Sequence, residues 1–415
     1  MTDDQDFLDD FRSMSSIGST PGGGVDRQAA TDTDGRTRNW FRGLVEAHGF
    51  EVHYDEIGNQ ICLMEFVPGA PYVFVGSHLD SQPLGGRFDG AFGVLAAAHA
   101  ITRLRERADA GSFAPTVNLA VVNWFNEEGC RFKPSMMGSS VFTGKLALDD
   151  ALATTDPAGT SVGDALAAIG TIGTFERPEL VGYVEIHIEQ GRSLEDDGLT
   201  IGLVQSTWGA DKHQLVVHGE QAHTGATVIA DRRDALLGAA LVVAAAREIA
   251  DEFSTDDAMV ITSCGEFTVT PNSPVVVARR VDLLVDVRCP DAAVLARADA
   301  ELRRRIADIE ARANVSIEFV PGHDWPAKAY DEAGIRLAAE VAESLELPYG
   351  EVRTLAGHDS TNLKDVVPTI MLFVPSVEGI SHNEREYTSD DDLLAGVAML
   401  TGVLERVAIE GITPA

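Results

Sequence analysis

The chain has 415 residues, 45% of them hydrophobic, with mean hydropathy near zero, a formal net charge of −33 and a pI near 4.5. That length supports two or more domains with ample core, and no run of about 18 apolar residues marks a transmembrane helix. The acidic balance argues against nucleic-acid binding, which needs basic patches.

Of the 32 basic residues only Lys133, Lys145, Lys212, Lys328 and Lys364 are lysine. Excess carboxylate with so little lysine is the pattern of a halophile's cytosolic protein, soluble where salt screens its self-repulsion. The start, Met1-Thr2-Asp3-Asp4-Gln5-Asp6, has neither the basic nor the apolar segment of a secretory signal. Cys62, Cys130, Cys264 and Cys289 form no CxxC pair. A cytoplasmic protein with free thiols is expected, without a disulfide framework or thiolate zinc site.

Residues 7–50 open with a helical pattern and a loop around Pro21-Gly22-Gly23-Gly24. The triple glycine lacks the Gly-Lys-Ser/Thr of a phosphate-binding loop. An amphipathic helix is predicted from Asp34 to Ala47, then β-like runs near Glu51–Tyr54 and Gln60–Phe66. Tyr72–Val75 and Val117–Phe125 read as buried strands by their continuous apolar character, with a small-residue helix, Ala91–Arg107, between them. Strand, helix, strand points to a doubly wound α/β domain.

From about Lys212 the pattern changes. His213–His218 reads as a strand, Asp231–Phe253 as a helix, Met259–Val269 and Arg280–Arg288 as strands, Ala292–Arg312 as a helix and Val315–Val320 as a strand. That βαββαβ order is the ferredoxin-like split unit, here an inserted α+β domain. Asp331–Leu345 then reads as a helix, Thr369–Val374 as a strand and Asp391 to about Glu410 as a helix. Asp390-Asp391-Asp392 suits a helix N-terminus, favoured by the dipole. The expected organisation is a discontinuous catalytic domain, residues 1–211 and 326–415, around an insertion at 212–325.

Metal ligands follow four separate apolar runs. They stand in Gly76-Ser77-His78-Leu79-Asp80 with Asp89, in Asn126-Glu127-Glu128-Gly129, in His187-Ile188-Glu189-Gln190-Gly191, and in Ser381-His382-Asn383. An open α/β sheet builds its site in this way, in the crevice at the carboxyl ends of its strands. A lone His78 would be an ordinary polar residue. With Asp80 two residues on, its other ring nitrogen has a carboxylate to fix its tautomer. Asp89 alone would read as a helix cap, and Glu127-Glu128 alone as a solvated turn. As a site, one of that pair ligates metal and the other serves as general base. His48, His53, His99, His218 and His323 read as surface or packing residues, and His358 is undecided.

These motifs, with Ala222-His223-Thr224-Gly225, Asp286-Val287-Arg288, Gly357-His358-Asp359 and Pro375-Ser376, span nearly the whole chain in order. The chain resembles the hydantoinase/carbamoylase branch of the zinc aminoacylase/carboxypeptidase superfamily. That branch holds N-carbamoyl-L-amino-acid hydrolases, β-ureidopropionases and allantoate amidohydrolases. Ser81-Gln82-Pro83 looks slightly more like the ureidopropionase type.

The resemblance implies two divalent metals per subunit, zinc first, with manganese, cobalt or nickel as alternatives. His78, Asp89 and His187 would bind one, and Asp89, Glu128 and His382 the other, Asp89 bridging. Glu127 would be the general acid/base and Asp80 the residue that orients the ligands. Gln190, Arg288 and the backbone near Gly357 would hold a small ureido or carbamoyl acid. His223, on an inserted lid, would reach the active site of the other subunit in a homodimer.

One departure concerns Pro271-Asn272-Ser273-Pro274-Val275. Val275 stands where the family's substrate-binding asparagine is expected, and valine has no side-chain hydrogen-bonding group. Either the substrate differs, Asn272 substitutes, or turnover is poor. The leading reading is hydrolysis of the carbamoyl C–N bond of an N-carbamoyl amino acid. The alternatives are allantoate or another ureido acid, a dipeptidase or aminoacylase of the same superfamily, and a degenerate binding protein. Retention of all five ligand candidates and Glu127 weighs against the last.

Overall fold

The computed structural model describes residues 3–255 and 258–412, with side chains left out at 321–324. In chain order its strands are β1 (Glu51–Tyr54), β2 (Gln60–Met64), β3 (Tyr72–His78), β4 (Asn118–Trp124), β5 (Leu180–Ile188), β6 (Ile201–Thr207), β7 (Gly209–His218), β8 (Ala222–His223), β9 (Ile261–Thr270), β10 (Val276–Val277), β11 (Arg280–Cys289), β12 (Ser316–Trp325), β13 (Tyr349–Thr354) and β14 (Thr369–Val374). With the helices between them they make a mixed α/β fold in two compact units. One runs to Gln205 and resumes at Tyr330; the other, Ser206–Ala329, is inserted into it.

In the first unit the sheet order is β1-β2-β4-β3-β5-β14-β6-β13. β4, β3, β5 and β14 are mutually parallel, while β1, β2 and β6 pair antiparallel. Parallel strands covered on both faces read as unbroken apolar runs. Val73, Val75, Val121, Val184 and Leu372 pack into one core with Phe92, Leu95 and Ile101 of helix Ala91–Asp109 and with Val397, Leu400 and Val403 of helix Asp390–Glu410. Phe74, Val122, Trp124 and Tyr183 pack into another cluster with Leu363. The small side of helix Ala91–Asp109 lets it lie close on the sheet: a Cβ on Gly93 would stand 2.2 Å from the Ile186 carbonyl oxygen.

From β3 the chain goes to β4 on one side and then to β5 on the other. The switch point therefore lies between β3 and β5, where an open α/β sheet places its ligands. The acidic run opens helix Asp390–Glu410, behind Ser389 as N-cap, whose Oγ accepts the Asp392 N–H at 3.1 Å. Among the described residues no helix is long and apolar enough to cross a membrane, and the four cysteines are free.

The second unit has a four-stranded antiparallel sheet, order β12-β7-β11-β9, with helices Ala235–Phe253 and Ala292–Ala313. This is the βαββαβ order with its last strand beside its first. Val242, Ile249, Leu302 and Ile306 pack on Leu215, Val217, Leu283 and Val285 in a core of its own. The unit is wider than 212–325, because Ser206 bridges Ala329 and the Thr207 N–H donates to the Lys328 carbonyl at 3.1 Å. The helix expected from Asp231 starts at Ala235. Ile229–Asp231 is a 3-10 turn, and Asp234 caps by accepting the N–H groups of Leu236 and Leu237.

Candidate metal centre

His78 ends β3, His187 is the penultimate residue of β5, Glu127 and Glu128 follow β4, and His382 follows β14. The four parallel strands thus bring their carboxyl ends to one place. Asp89 joins them from the loop after β3. Its Oδ1 lies 3.1 Å from His187 Nε2 and 3.4 Å from His78 Nε2. Its Oδ2 lies 3.3 Å from His382 Nε2, which is also 3.3 Å from Glu128 Oε2. Two sets of ligand atoms, His78/Asp89/His187 and Asp89/Glu128/His382, share one carboxylate. Asp89 is no helix cap. The N-cap of helix Ala91–Asp109 is Gly90, without a side-chain cap. Gly90 has φ +62°, and a Cβ there would stand 2.4 Å from His78 Nε2, so only glycine fits.

The donor set fits a divalent metal. His78 Nδ1 lies 2.9 Å from the Asp80 carbonyl oxygen, and His187 Nδ1 lies 2.8 Å from that of Ile188. A carbonyl only accepts, so both rings donate from Nδ1 and leave Nε2 beside Asp89, where His187 Nε2 also lies 2.9 Å from the Gly90 N–H. A lone pair facing a carboxylate repels unless a proton or a cation lies between. Two ligands each about 2.0–2.1 Å from one zinc ion at the tetrahedral angle stand about 3.3–3.4 Å apart, close to the spacings here. Nitrogen with carboxylate oxygen suits a borderline cation such as zinc.

Asp80 meets His78 through its main chain. Its carboxylate is 3.7 Å from His78 Nδ1, and the main-chain carbonyl takes the ring N–H instead. Asp80 Oδ1 and Oδ2 accept the backbone N–H groups of Glu127 and Glu128 at 3.2 and 3.3 Å.

The adjacent glutamates diverge. Glu127 Oε2 lies 3.5 Å from His78 Nε2, beside the first set, while Glu128 faces His382. Gln82 holds Glu128, its N–H donating to Oε1 at 3.0 Å and its Nε2 to Oε2 at 2.9 Å. Burial drives the Glu127 carboxyl well above the carboxylate range, against the pull of His78. Burial, with Asp89 adding, pushes Glu128 up to about 7. Burial also opposes ionisation of Asp89, but its three imidazole neighbours outweigh it and hold that carboxyl well below the usual range. A bound dication would be the largest charge in the site.

Gln190 belongs to the centre but spends its amide on it: Nε2 donates to Asp89 Oδ2 at 2.7 Å and to Ser381 Oγ at 3.0 Å. Its Oε1 is buried without a partner among the described residues. His358 is buried, its ring 4.6 Å from that of His187, and burial lowers it well below the ordinary imidazole range. Its Nε2 is buried without a partner among the described residues. Gly357, beside His358, would bring a Cβ within 3.1 Å of Met136 Cε. His99 packs edge-on to Phe7, His53 stacks on Phe175, and His218 meets Glu318. The side chain of His323 lies outside the described residues.

Sequence reasoning missed Glu386. Its buried carboxylate accepts the N–H groups of Phe88 and Asp89 at 3.0 and 3.1 Å and the Ser381 hydroxyl at 2.8 Å. Its position four residues after His382 was the available signal.

In the second unit, exposed His223 accepts the N–H groups of Gly225 and Ala226 on Nδ1, at 3.0 and 3.1 Å. Its Nε2 therefore carries the proton and is a donor. β8 pairs with β10, His223 opposite Val276. This brings His223 beside the segment of Asn272 and Val275, both exposed. Arg288 turns Nε and Nη2 to Asp286, at 3.1 and 2.7 Å. A third group, Asp211, His213 and Asp299, also has metal-like spacing. There Asp299 is already paired with His213 and with Arg303.

Residues 74–406 match the model of peptidase family M20/M25/M40. The chain belongs to that family. It is 36% identical to an N-carbamoyl-L-amino-acid amidohydrolase of Rhizobium meliloti, over 97% of this chain and 96% of that one. It is 32% identical to an allantoate amidohydrolase of Escherichia coli strain K12, over 95% and 96%. A crystal structure of a hydantoinase/carbamoylase family amidase from Burkholderia vietnamiensis superposes with a TM-score of 0.93 at 36% identity, covering 99% of this chain and 98% of that one. The chain is thus an amidohydrolase of the carbamoylase/allantoate amidohydrolase group, acting on C–N bonds other than peptide bonds. Enzymes of this family are metal-dependent.

Proposed function

We propose that the chain hydrolyses the carbamoyl C–N bond of an N-carbamoyl amino acid, releasing the amino acid, ammonia and carbon dioxide. The observation that carries this reading is Asp89, with one oxygen toward His78 and His187 and the other toward His382. In this reading His78, Asp89 and His187 hold one divalent ion, and Asp89, Glu128 and His382 a second, both zinc. Bound there, the pair supplies Lewis acidity toward the ureido carbonyl and lowers the pKa of water.

The remaining steps belong to the chain. Glu127, beside His78, takes the proton of the attacking water and delivers it to the leaving nitrogen. His223, a donor through Nε2, stabilises the tetrahedral oxyanion. Arg288, held flat by Asp286, grips the substrate carboxylate in a two-pronged pair, and Gln190 Oε1 and the backbone at Gly357 receive the rest of the substrate. The inserted unit acts as lid and dimerisation domain, so that His223 serves the partner subunit's crevice. The net charge of −33 fits a salt-adapted cytoplasmic enzyme.

Allantoate is the second reading, favoured by the Escherichia coli relative at 32% identity. Assays in high salt, reading ammonia release from carbamoyl amino acids and allantoate and free amino acids from dipeptides, decide between them. Chelation should abolish turnover and zinc should restore it. Turnover of dipeptides alone would refute the carbamoyl assignment.

A further inference from the structure

His382 is the ligand candidate that needs the most support. Its side chain is 50% exposed, where those of His78, Asp89, Glu128 and His187 are at most 5% exposed. It lies on an irregular segment, with a backbone φ of +53° that a non-glycine residue seldom adopts. Neither helix nor strand fixes it.

Two glutamates fix it instead. Glu386 accepts the N–H groups of Phe88 and Asp89 on Oε1 and the Ser381 hydroxyl on Oε2. One carboxylate thus ties the backbone of the bridging ligand to the residue before His382. Ser381 also receives the Gln190 amide that holds Asp89 Oδ2. On the outer side, Glu384 Oε1 accepts the Gly22 N–H at 3.2 Å and pairs with the Thr20 hydroxyl.

The glycines make room for both contacts. A Cβ on Gly86 would stand 1.9 Å from Glu386 Oε1. One on Gly22 would stand 2.4 Å from a Glu384 carboxylate oxygen, and one on Gly24 2.2 Å from the Gly85 carbonyl. The triple glycine that resembles a phosphate loop is accounted for by this approach. A carboxylate is costly to bury unless its lone pairs are taken; those of Glu386 are taken by the bridging ligand's own backbone and the His382 loop.

We propose that Glu386 is a positioning residue of the metal centre: it locks Asp89 and the His382 loop into one unit, with Glu384 and the loop at residues 20–24 as an outer brace. This rests on the two-metal reading above. A loop staple without that role would lower the stability of the metal-free fold and leave metal affinity unchanged.

The test uses the full chain, stripped of metal and titrated with zinc against a chromophoric chelator, with metal-free melting temperature recorded alongside. The parent should bind two equivalents. Glu386→Ala should keep the first and weaken the second by about 10–100-fold, the usual effect of removing a group that orients a ligand. Glu386→Gln, which keeps one acceptor oxygen, should fall between. Glu384→Ala should weaken the same equivalent by a smaller factor. If Glu386→Ala does not fold, Glu386→Gln decides. Folded variants that bind both equivalents with parental affinity overturn the proposal alone, even if their metal-free melting temperature drops. A parent that binds fewer than two equivalents overturns the two-metal reading and the proposal with it.

Discussion

Asp80 Oδ1 accepts the backbone N–H of Glu127 at 3.2 Å. Its other oxygen takes the N–H of Glu128, and its carbonyl takes the His78 ring. Asp80 therefore sets the turn in which the two glutamates diverge, a turn opened by Asn126 at φ +51°. Asp80→Asn keeps the carbonyl and one acceptor oxygen, but sets an amide NH₂ against a backbone N–H. Turnover should fall by about 10–100-fold. Bound metal should stay near parental, because the main chain orients His78. Steady-state kinetics with metal analysis checks both, and parental turnover would show that the turn holds without the carboxylate.

Glu127→Gln keeps the shape and removes the base. Turnover should drop by about 10²–10⁴-fold, the usual worth of a positioned acid–base group. Metal content should hold, since Glu127 is in neither ligand set. Near-normal turnover would reverse the roles assigned to Glu127 and Glu128. Loss of metal would make Glu127 a ligand.

The parallel core and its candidate ligands were legible because burial on both faces leaves continuous apolar runs, and the candidate residues follow where each run stops. Asp89 was the hardest of the five, since a carboxylate just before a helix is ordinarily a cap. Only the turn at Gly90 shows it facing the histidines. Which oxygen of Asp80 meets the His78 ring was not legible. Spacing in sequence does not reveal whether a carboxylate or its own carbonyl meets the ring. Glu386 left only its place four residues after His382 as a cue, because its partners include the backbone N–H groups of Phe88 and Asp89, and every residue but proline carries one. The β8–β10 pair, two residues a strand, is too short for any periodicity.

Arg288→Lys should be costly. Asp286 holds the guanidinium through Nε and Nη2, and a lysine ammonium has no planar fork for a carboxylate. In the parent, amidated or esterified substrates should be poor. In the variant, the preference for the free acid should shrink. Equal parental rates on acid and amide would exclude Arg288 as the clamp.

The last prediction concerns His223 acting in trans. Its Nδ1 is occupied by two backbone N–H groups, so the ring offers one donor, Nε2. In a two-fold dimer a residue on an inserted unit can complete the partner's site, and symmetry would then make both sites shared. Glu127→Gln and His223→Ala should each be inactive alone. Mixed under conditions that exchange subunits, they form a heterodimer. There the His223→Ala chain keeps its Glu127 and borrows the donor from its partner, while the opposite site is doubly broken. At equal amounts and random pairing about half the dimers are mixed, each with one good site, so about a quarter of parental activity should return. Ammonia release, with exchange verified by mass spectrometry of tagged chains, gives the readout. Verified exchange without recovered activity would place His223 in cis or outside the reaction.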